Sequence, residues 1–404
     1  MQSFKFRFRI YDLLFYLLLV FSFYYTRNMV CRLMMVVFFG YTVAQIIIRK
    51  ARVPFPFFYV GFGLFILYGA VNILLGNAIY PSVARSMVIS LALNLMMIFS
   101  IVQYICQTND TNRVLRITEI SILSVAVVVV VISANTIAEG RLGGGTEMNS
   151  NLLAILCVYG FVLSMYLRKE RKISQLSSWA RVVFYMLVIM LTGSRKGLLM
   201  VVLSIIVVQL TQERRKILKK LFVIIGSAAM LYVLIMNVPV LYNIIGVRVE
   251  NLLLTLSGEG ATEASLEDRQ RLVNIGLEYI EDKPWVGYGY DCFKMISGMG
   301  PNGKVPVGAA GFYSHNNYIE LLFGGGIIGL ALYYLPVLWL LKSLFKSLSK
   351  AKYIPYLLAM VVSQLAVEYA RVTYYARVDA YIIAVVLGCL LIAEEKLAKT
   401  KAGL

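Results

Sequence analysis

The recurrence of long apolar segments is the feature that most constrains how this chain can fold. Hydrophobic residues make up 60% of its 404 residues and charged residues only 15%, which is less charge than a soluble domain carries. A helix needs about 17–25 apolar residues to cross a bilayer. The apolar segments of this length, or close to it, lie at 10–26, 29–48, 55–75, 83–106, 115–135, 150–167, 179–194, 196–210, 220–240, 316–341, 353–372 and 377–394. We therefore predict an all-α integral membrane protein with about 12 transmembrane helices.

The basic residues fall between these segments and not in one patch. The net charge is +18, but this distribution is typical of membrane topology and not of nucleic-acid binding. With the N-terminus in the cytoplasm, every short inside loop is basic and most short outside loops carry little Lys or Arg. We expect both termini to be cytoplasmic. The basic Met1–Arg9 stretch precedes an apolar run without a small-residue cleavage site, so we expect a retained first span.

One long polar segment divides the chain. We predict nine transmembrane helices in residues 1–241, an external loop with short helices at 242–314, and three further transmembrane helices with a cytoplasmic tail in 315–404. Within the loop, Ser265 resembles a helix cap, and a helix would follow it to Asp282, before Lys283-Pro284. Glycine-rich, irregular chain comes next. The five cysteines suggest neither disulfides nor a metal site.

The only histidine, His315, lies where this loop meets the apolar segment that begins at 316. Histidine has the unperturbed pKa nearest neutrality, so it is suited to accept a proton from a hydroxyl group. We predict that His315 belongs to an active site facing an aqueous compartment. An interfacial or capping histidine without a chemical role is the alternative.

Two external basic pairs are further candidates. Arg195 and Lys196 lie in the tight turn between the seventh and eighth segments, where a charge at the membrane boundary often marks a site. Arg269 and Arg271 lie near the start of the loop helix, and arginine presents a fork of donors that suits phosphate oxygens. The alternatives are a snorkelling anchor for the first pair and salt bridges to loop carboxylates for the second.

Further substrate-binding candidates lie close to the last three segments. Asn316 and Tyr318 adjoin the histidine, and Glu320 follows about one and a half turns deeper. Glu320 is a second candidate base or a partner of Arg371 or Arg377, which we expect to supply supporting positive charge. Glu368, three residues before Arg371, is another possible partner for that arginine.

Several external arginines with one histidine suit a diphosphate leaving group and a hydroxyl nucleophile. No acidic Asp-x-Asp cluster appears outside the membrane segments, so the pattern does not favour a metal-bridged diphosphate. Arginines would instead neutralise the charge on the departing diphosphate. We therefore expect no metal and no cofactor.

These motifs together resemble those of the O-antigen ligase and O-antigen polymerase superfamily. The resemblance is carried by SHNNYIE at 314–320, GIIGL at 326–330, TGSR at 192–195, DR at 268–269 and PWVGYG at 284–289. The motifs match those of the superfamily in order and spacing over about residues 150–345, and the predicted topology matches over the whole chain. Lys196 departs from the pattern, because members of the family often have a small residue there.

The resemblance implies a glycosyltransferase with GT-C-type architecture in the bacterial cytoplasmic (inner) membrane. Its substrate would be an oligosaccharide on undecaprenyl diphosphate, used on the outer face without a metal and with inversion at the anomeric carbon. Arg195 and Arg269 would hold the diphosphate, and His315 would position or deprotonate the acceptor hydroxyl. The other partners would be a growing glycan or acceptor lipid, the bilayer and, in some systems, a chain-length regulator.

Four functions fit the motifs to different degrees. The leading hypothesis is a polymerase of O-antigen or capsule repeat units, and its close rival is a ligase that moves finished glycan to a lipid or protein acceptor. A transporter of lipid-linked glycan should have charges near the bilayer midplane and broken helices or repeats, neither of which is clear in the sequence. An assembly scaffold without activity is the weakest hypothesis.

Overall fold

The computed structural model describes a chain that is built from helices. The described residues are 9–24, 28–133, 142–143, 148–212, 222, 226, 229–230, 232–247, 250, 264–297 and 311–401, and none of them forms a strand. The main helices are α1 (Ile10–Tyr24), α2 (Met29–Arg49), α3 (Phe57–Leu74), α4 (Pro81–Thr108), α5 (Thr111–Ile132), α6 (Ser150–Lys169), α7 (Gln175–Leu191), α8 (Arg195–Gln212), α9 (Ala264–Asp282), α10 (Asn317–Lys346), α11 (Ile354–Ala366) and α12 (Arg377–Lys401). A short helix, Phe293–Ile296, and a 3-10 turn, Glu368–Ala370, lie in the connections.

The predicted apolar segments coincide with these helices. Among the described residues, seven helices are long and apolar enough to cross a membrane, namely α2, α3, α4, α5, α6, α8 and α10, and three shorter apolar helices accompany them. The predicted ninth span at 220–240 lies largely outside the described residues. The all-helical class is confirmed, while the number of about 12 spans and the GT-C-type architecture stay predictions.

The external loop contains the helix that its sequence predicts. That helix, α9, ends at Asp282 as expected and begins at Ala264, one residue before the predicted cap Ser265. The loop stretches 251–263 and 298–310, with several of its glycines, lie outside the described residues. All five cysteines are free thiols.

Helix α6 lies at the centre of the bundle. Of its apolar stretch, 83% is buried, more than in any other candidate span of the described chain. Around it, α11 packs along α8, α12 along α4 and α10 along α3. The N-terminal halves of α2, α4, α6 and α12 come together at one end of the bundle, where they line the same cavity.

The opposite end of the bundle holds buried ion pairs. Glu119 of α5 pairs with Arg181 of α7 and accepts hydrogen bonds from Ser164 and Tyr185 at 3.0 and 3.1 Å. A buried carboxylate is tolerated only when a cation and hydrogen-bond donors surround it. This cluster therefore fixes the relative positions of α5, α6 and α7 away from the cavity.

Helix α10 is interrupted at Gly326, which has φ 61° and ψ −166°. The sequence shows no clear broken helix, so this interruption corrects that expectation. A break inside an apolar helix frees backbone groups that lipid cannot satisfy, and each costs several kcal/mol when left unpaired. The structure must therefore supply partners for them.

The loop segment 284–289 supplies those partners. The backbone N–H groups of Tyr288 and Gly289 donate to the carbonyls of Phe323 and Gly324 at 2.8 and 2.9 Å, and that of Ile327 donates to Pro284 at 2.8 Å. Tyr68 of α3 donates its hydroxyl to the carbonyl of Gly325 at 3.0 Å. The segment thus fills the break and ties the external loop to α3 and α10.

Replacement of Gly326 by alanine should destabilise the fold. A Cβ atom there would lie 2.2 Å from the carbonyl of Trp285, and the left-handed φ adds a strain of about 1–3 kcal/mol. We expect a clearly lower melting temperature for purified Gly326→Ala in detergent. Gly40→Ala is the control, because a Cβ in that helical position meets nothing within 4 Å and alanine favours a helix by about 1 kcal/mol. Equal melting temperatures of the two variants would contradict the close packing of segment 284–289 against the break at Gly326.

Candidate functional site

His315 is held in the connection that leads into α10. It has a left-handed φ of 56°, which is uncommon for a residue with a side chain. The next residue, Asn316, caps α10 by accepting from the backbone N–H groups of Tyr318 and Ile319 at 2.9 and 3.3 Å. Glu320 reaches back to accept from the N–H of Ser314 at 2.8 Å. These bonds fix the backbone on both sides of the histidine.

The surroundings of His315 keep its imidazole neutral. Its ring lies 4.2 Å, centroid to centroid, from that of Tyr313. Burial lowers the pKa of His315 to about 4, and the positive charges of Arg269 and Lys196 add to that effect. At neutral pH the side chain therefore has a lone pair available to accept a hydrogen bond or a proton. The structure thus brings three of the sequence-predicted residues into one electrostatic environment.

The predicted turn before α8 positions Arg195 and Lys196. Ser194 lies at the start of α8, where its hydroxyl accepts from the N–H of Gly197 at 3.4 Å and donates to Asn151 of α6 at 2.9 Å. Arg195 and Lys196 are half-buried in the first turn of the helix. The ammonium group of Lys196 donates to the carbonyl of Ala370. Lys196 thereby connects α8 with the connection that precedes α12.

Arg371 forms an ion pair that differs from the sequence expectation. Its two terminal nitrogens donate to the carboxylate of Asp379 at 3.0 and 2.6 Å, and Asp379 is only 1% exposed. Glu368 instead accepts from Tyr334 and Thr373 at 2.5 and 2.6 Å. The expected pairing of Arg371 with Glu320 or Glu368 is therefore wrong. Chain reversal between the 3-10 turn and α12 brings Asp379 closer than either.

The remaining predicted residues lie in different surroundings. Arg271 is largely exposed and lies 3.9 Å from Asp268, which corresponds to the salt-bridge alternative. Tyr318 stacks on Tyr334 with ring centroids 5.4 Å apart. The side chains of Glu320 and Asn316 accept hydrogen bonds from backbone N–H groups around the start of α10. Arg377 lies in the wall of the main cavity.

A cavity of about 690 Å³ opens beside Tyr313. Its wall combines residues from the N-terminal halves of α2, α4, α6 and α12 with the predicted external loop. The charged side chains in this wall are those of Arg32, Asp291, Lys294, Arg371 and Arg377. Tyr313 also belongs to the wall and contacts His315, so the histidine borders the cavity.

Sequence reasoning missed four residues of this site: Arg32, Asp291, Lys294 and Tyr313. In the predicted orientation Arg32 is an external cation against the positive-inside trend, so the argument applied to Arg195 could have found it. Asp291 has a left-handed φ of 61° and forms an ion pair with Lys294, which no sequence pattern reveals.

This arrangement can bind a multiply charged anion next to a neutral proton acceptor. Guanidinium and ammonium groups at a partly buried site neutralise phosphate charge far better than in bulk water. An anion bound near Arg269 and Lys196 would also compensate the charges that lower the pKa of His315. The same anion would therefore make the imidazole a stronger base.

The single histidine allows a direct test of this electrostatic coupling. We expect protein labelled with ¹⁵N-histidine to show one imidazole signal that titrates with a midpoint of about 4. Removing a nearby positive charge favours the imidazolium form, so Arg269→Ala should raise that midpoint. Arg271→Ala, which removes an exposed charge two residues away, should leave it unchanged. A wild-type midpoint at the ordinary value of 6.5 would overturn this description.

The Arg371–Asp379 pair should be required for stability. Asp379→Asn leaves a buried guanidinium without its counter-charge, which costs about 3–5 kcal/mol in comparable pairs. We expect a corresponding loss in the free energy of unfolding, measured by denaturant titration in mixed micelles. Asp268→Asn removes the partner of exposed Arg271 and should change the free energy of unfolding by less than about 1 kcal/mol. Similar losses for both variants would show that Arg371 is compensated in another way.

Comparison with known proteins agrees with the geometry. The family model for O-antigen ligase matches residues 180–334, a range that includes the turn before α8, the loop helix α9, His315 and the interruption of α10. No curated protein matches the chain. The match supports an enzyme of the ligase or polymerase type in a bacterial membrane. This chain thus contains, at residues 180–334, a domain of the O-antigen ligase family, in agreement with the O-antigen polymerase and ligase superfamily that its motifs resemble.

Proposed function

We propose that this protein is a membrane glycosyltransferase that joins undecaprenyl-diphosphate-linked oligosaccharide repeat units into O-antigen or capsular polysaccharide. The observation that carries the proposal is the position of His315 in the segment that matches O-antigen ligase. The charges of Arg269 and Lys196 act on its imidazole, and the cationic cavity lies beside it. A neutral base beside several cations is what transfer of a sugar from a diphosphate to a hydroxyl needs.

In the proposed reaction a hydroxyl oxygen of the acceptor sugar attacks the anomeric carbon of the donor glycan. The new C–O bond forms on the face opposite the diphosphate, so the configuration inverts. The bond between the anomeric carbon and the phosphate oxygen breaks, and its electron pair leaves with undecaprenyl diphosphate. The hydroxyl proton passes to the imidazole of His315 and from there to water.

The cations take the part that a metal ion plays in other phosphate-transfer sites. Arg269 and Lys196 lie within electrostatic reach of the histidine, and Arg195 follows Ser194 at the start of α8. We assign these three side chains to the leaving diphosphate. Negative charge that accumulates on the phosphate oxygens would be stabilised where the site is shielded from water. The reaction we propose is therefore metal-independent.

The direction of the helices supports an external site. Residues from the N-terminal halves of α2, α4, α6 and α12 line the cavity, as expected when even-numbered spans run inward from one face. The basic inside loops put the other face in the cytoplasm. We therefore propose that both termini are cytoplasmic and that the site faces the outer side of the cytoplasmic membrane, where a lipid-linked glycan is reached from the bilayer.

A ligase that transfers finished glycan to a lipid or protein acceptor is the second candidate. The description of the matching family favours it, because that family is named for O-antigen ligase. The interrupted helix α10 does not give equal support to a transporter. Its freed carbonyls are occupied by Tyr288, Gly289 and Tyr68, so they do not line an open path.

Reconstitution with a single substrate tests the proposal. Purified protein in liposomes, supplied only with an undecaprenyl-diphosphate-linked repeat unit, should yield a ladder of added repeats on a gel. His315→Ala should slow ladder formation by about 10²–10⁴-fold, the range for loss of a general base. Arg85→Ala is a matched control, because Arg85 is an exposed cation at the start of α4 outside the cavity wall.

The alternatives give different products in the same assay. A ligase would leave the repeat unit unchanged until an acceptor lipid or protein is added. A transporter would move labelled lipid across the liposome membrane without forming a glycosidic bond. A ladder that His315→Ala makes at the wild-type rate would contradict the assignment of the base.

A further inference from the structure

The main cavity carries positive charge in addition to the cations that we assign to the leaving diphosphate. The described part of its wall has four cationic side chains, Arg32, Lys294, Arg371 and Arg377, and one carboxylate, Asp291. Two of the cations have carboxylate partners, since Lys294 pairs with Asp291 and Arg371 with Asp379. Like charges that converge on one cavity destabilise the empty protein and favour an anion.

Arg32 and Arg377 come from different helices but line the same cavity. Arg32 is exposed in the first turn of α2, and Arg377 is half-buried at the start of α12. A terminal nitrogen of Arg377 lies 3.4 Å from the sulfur of Cys31, the neighbour of Arg32. Cations are unfavourable at the positive end of a helix, so a bound anion would offset this cost for both.

This pair is separate from the cations that act on His315. Arg269 and Lys196 lower the pKa of the histidine but are not part of the cavity wall. Tyr313 belongs to the wall and contacts His315, so it connects the two cationic regions. The histidine thus has one group of cations beside it and another across the cavity that it borders.

We propose that Arg32 and Arg377 form a second phosphate-binding subsite, which takes the diphosphate of the acceptor substrate. The proposal rests on the glycosyltransferase function stated above. In polymerisation both substrates carry a diphosphate, but only the donor loses its own. The bond between the anomeric carbon and phosphate in the acceptor stays intact, so its diphosphate needs a site where it is held and not released.

Binding of undecaprenyl diphosphate without a glycan tests this subsite independently of turnover. We expect the wild-type protein in nanodiscs to bind two equivalents per chain, and Arg32→Ala/Arg377→Ala to bind one. Arg269→Ala should retain the equivalent that the double variant loses. Arg85→Ala should bind two, as the wild type does, and Arg32→Lys/Arg377→Lys should keep the second equivalent with weaker affinity. One equivalent in the wild type, or two in the double alanine variant, overturns the proposal.

The source of the phosphate is tested by competition. Arg32 lies where it could also meet a phospholipid headgroup. The protein should bind the second equivalent of undecaprenyl diphosphate equally well in nanodiscs that contain phosphatidylglycerol and in nanodiscs of phosphatidylcholine. If phosphatidylglycerol abolishes the second equivalent, the two arginines are interfacial lipid anchors and the proposal fails.

Kinetics separate failure of the subsite from failure of the proposed function. The double alanine variant should raise the KM for the acceptor repeat unit about tenfold or more, because it removes charge-assisted hydrogen bonds to the acceptor diphosphate. The KM for the donor should be unchanged. A ladder with unchanged acceptor KM refutes the subsite but leaves the glycosyltransferase intact. Two-site binding with no sugar transfer supports the subsite and refutes the enzyme.

Discussion

Helix α10 can be interrupted within the apolar bundle only because another part of the chain takes up its freed backbone groups. The segment 284–289 does so with four backbone hydrogen bonds, and Tyr68 adds a fifth. A side chain at Gly287 would lie 2.5 Å from the carbonyl of Phe323, so the close approach requires glycine there. The external loop is therefore a structural part of the bundle, and the start of α10, with His315, is positioned by it.

Buried polar contacts continue this positioning toward the cavity. Asn317, at the first turn of α10, accepts from the backbone N–H groups of Thr373 and Tyr374 at 2.9 and 3.1 Å. Arg371 in the same connection is fixed by Asp379 of α12. The start of α10, the connection before α12 and the cavity wall are thus held by buried polar contacts. Such contacts define a single geometry, because leaving any of their polar groups unpaired is costly.

Part of this structure follows from sequence patterns that are local. Apolar length locates the helices, and proline or a polar cap marks where they begin or end, as at α9. His315 and Lys196 stand out because charge and histidine are rare at a membrane boundary, and Arg269 stands out because it lies near the start of the loop helix. Each of these signals depends on residues close together in the chain.

The parts that sequence did not predict depend on contacts between distant segments. The break at Gly326 is stable only when residues 284–289 are in place, and a run of glycines alone does not show this. Asp379 is eight residues from Arg371 and lies within the next helix, whereas Glu368 is nearer in sequence but is occupied by Tyr334 and Thr373. Arg32 reaches the cavity from α2, far from every motif.

The low pKa of His315 gives the site a simple order of events. In the empty protein burial lowers the pKa of His315 most, and the charges of Arg269 and Lys196 lower it further, so the histidine is neutral but a weak base. A diphosphate placed among those cations reverses their effect and raises the pKa of the imidazole when the donor is bound. Under the proposed function, proton transfer from an acceptor hydroxyl would then be more favourable with the leaving group in position than without it. Water that enters the empty cavity meets a poor base, which would protect the lipid-linked glycan from wasteful hydrolysis.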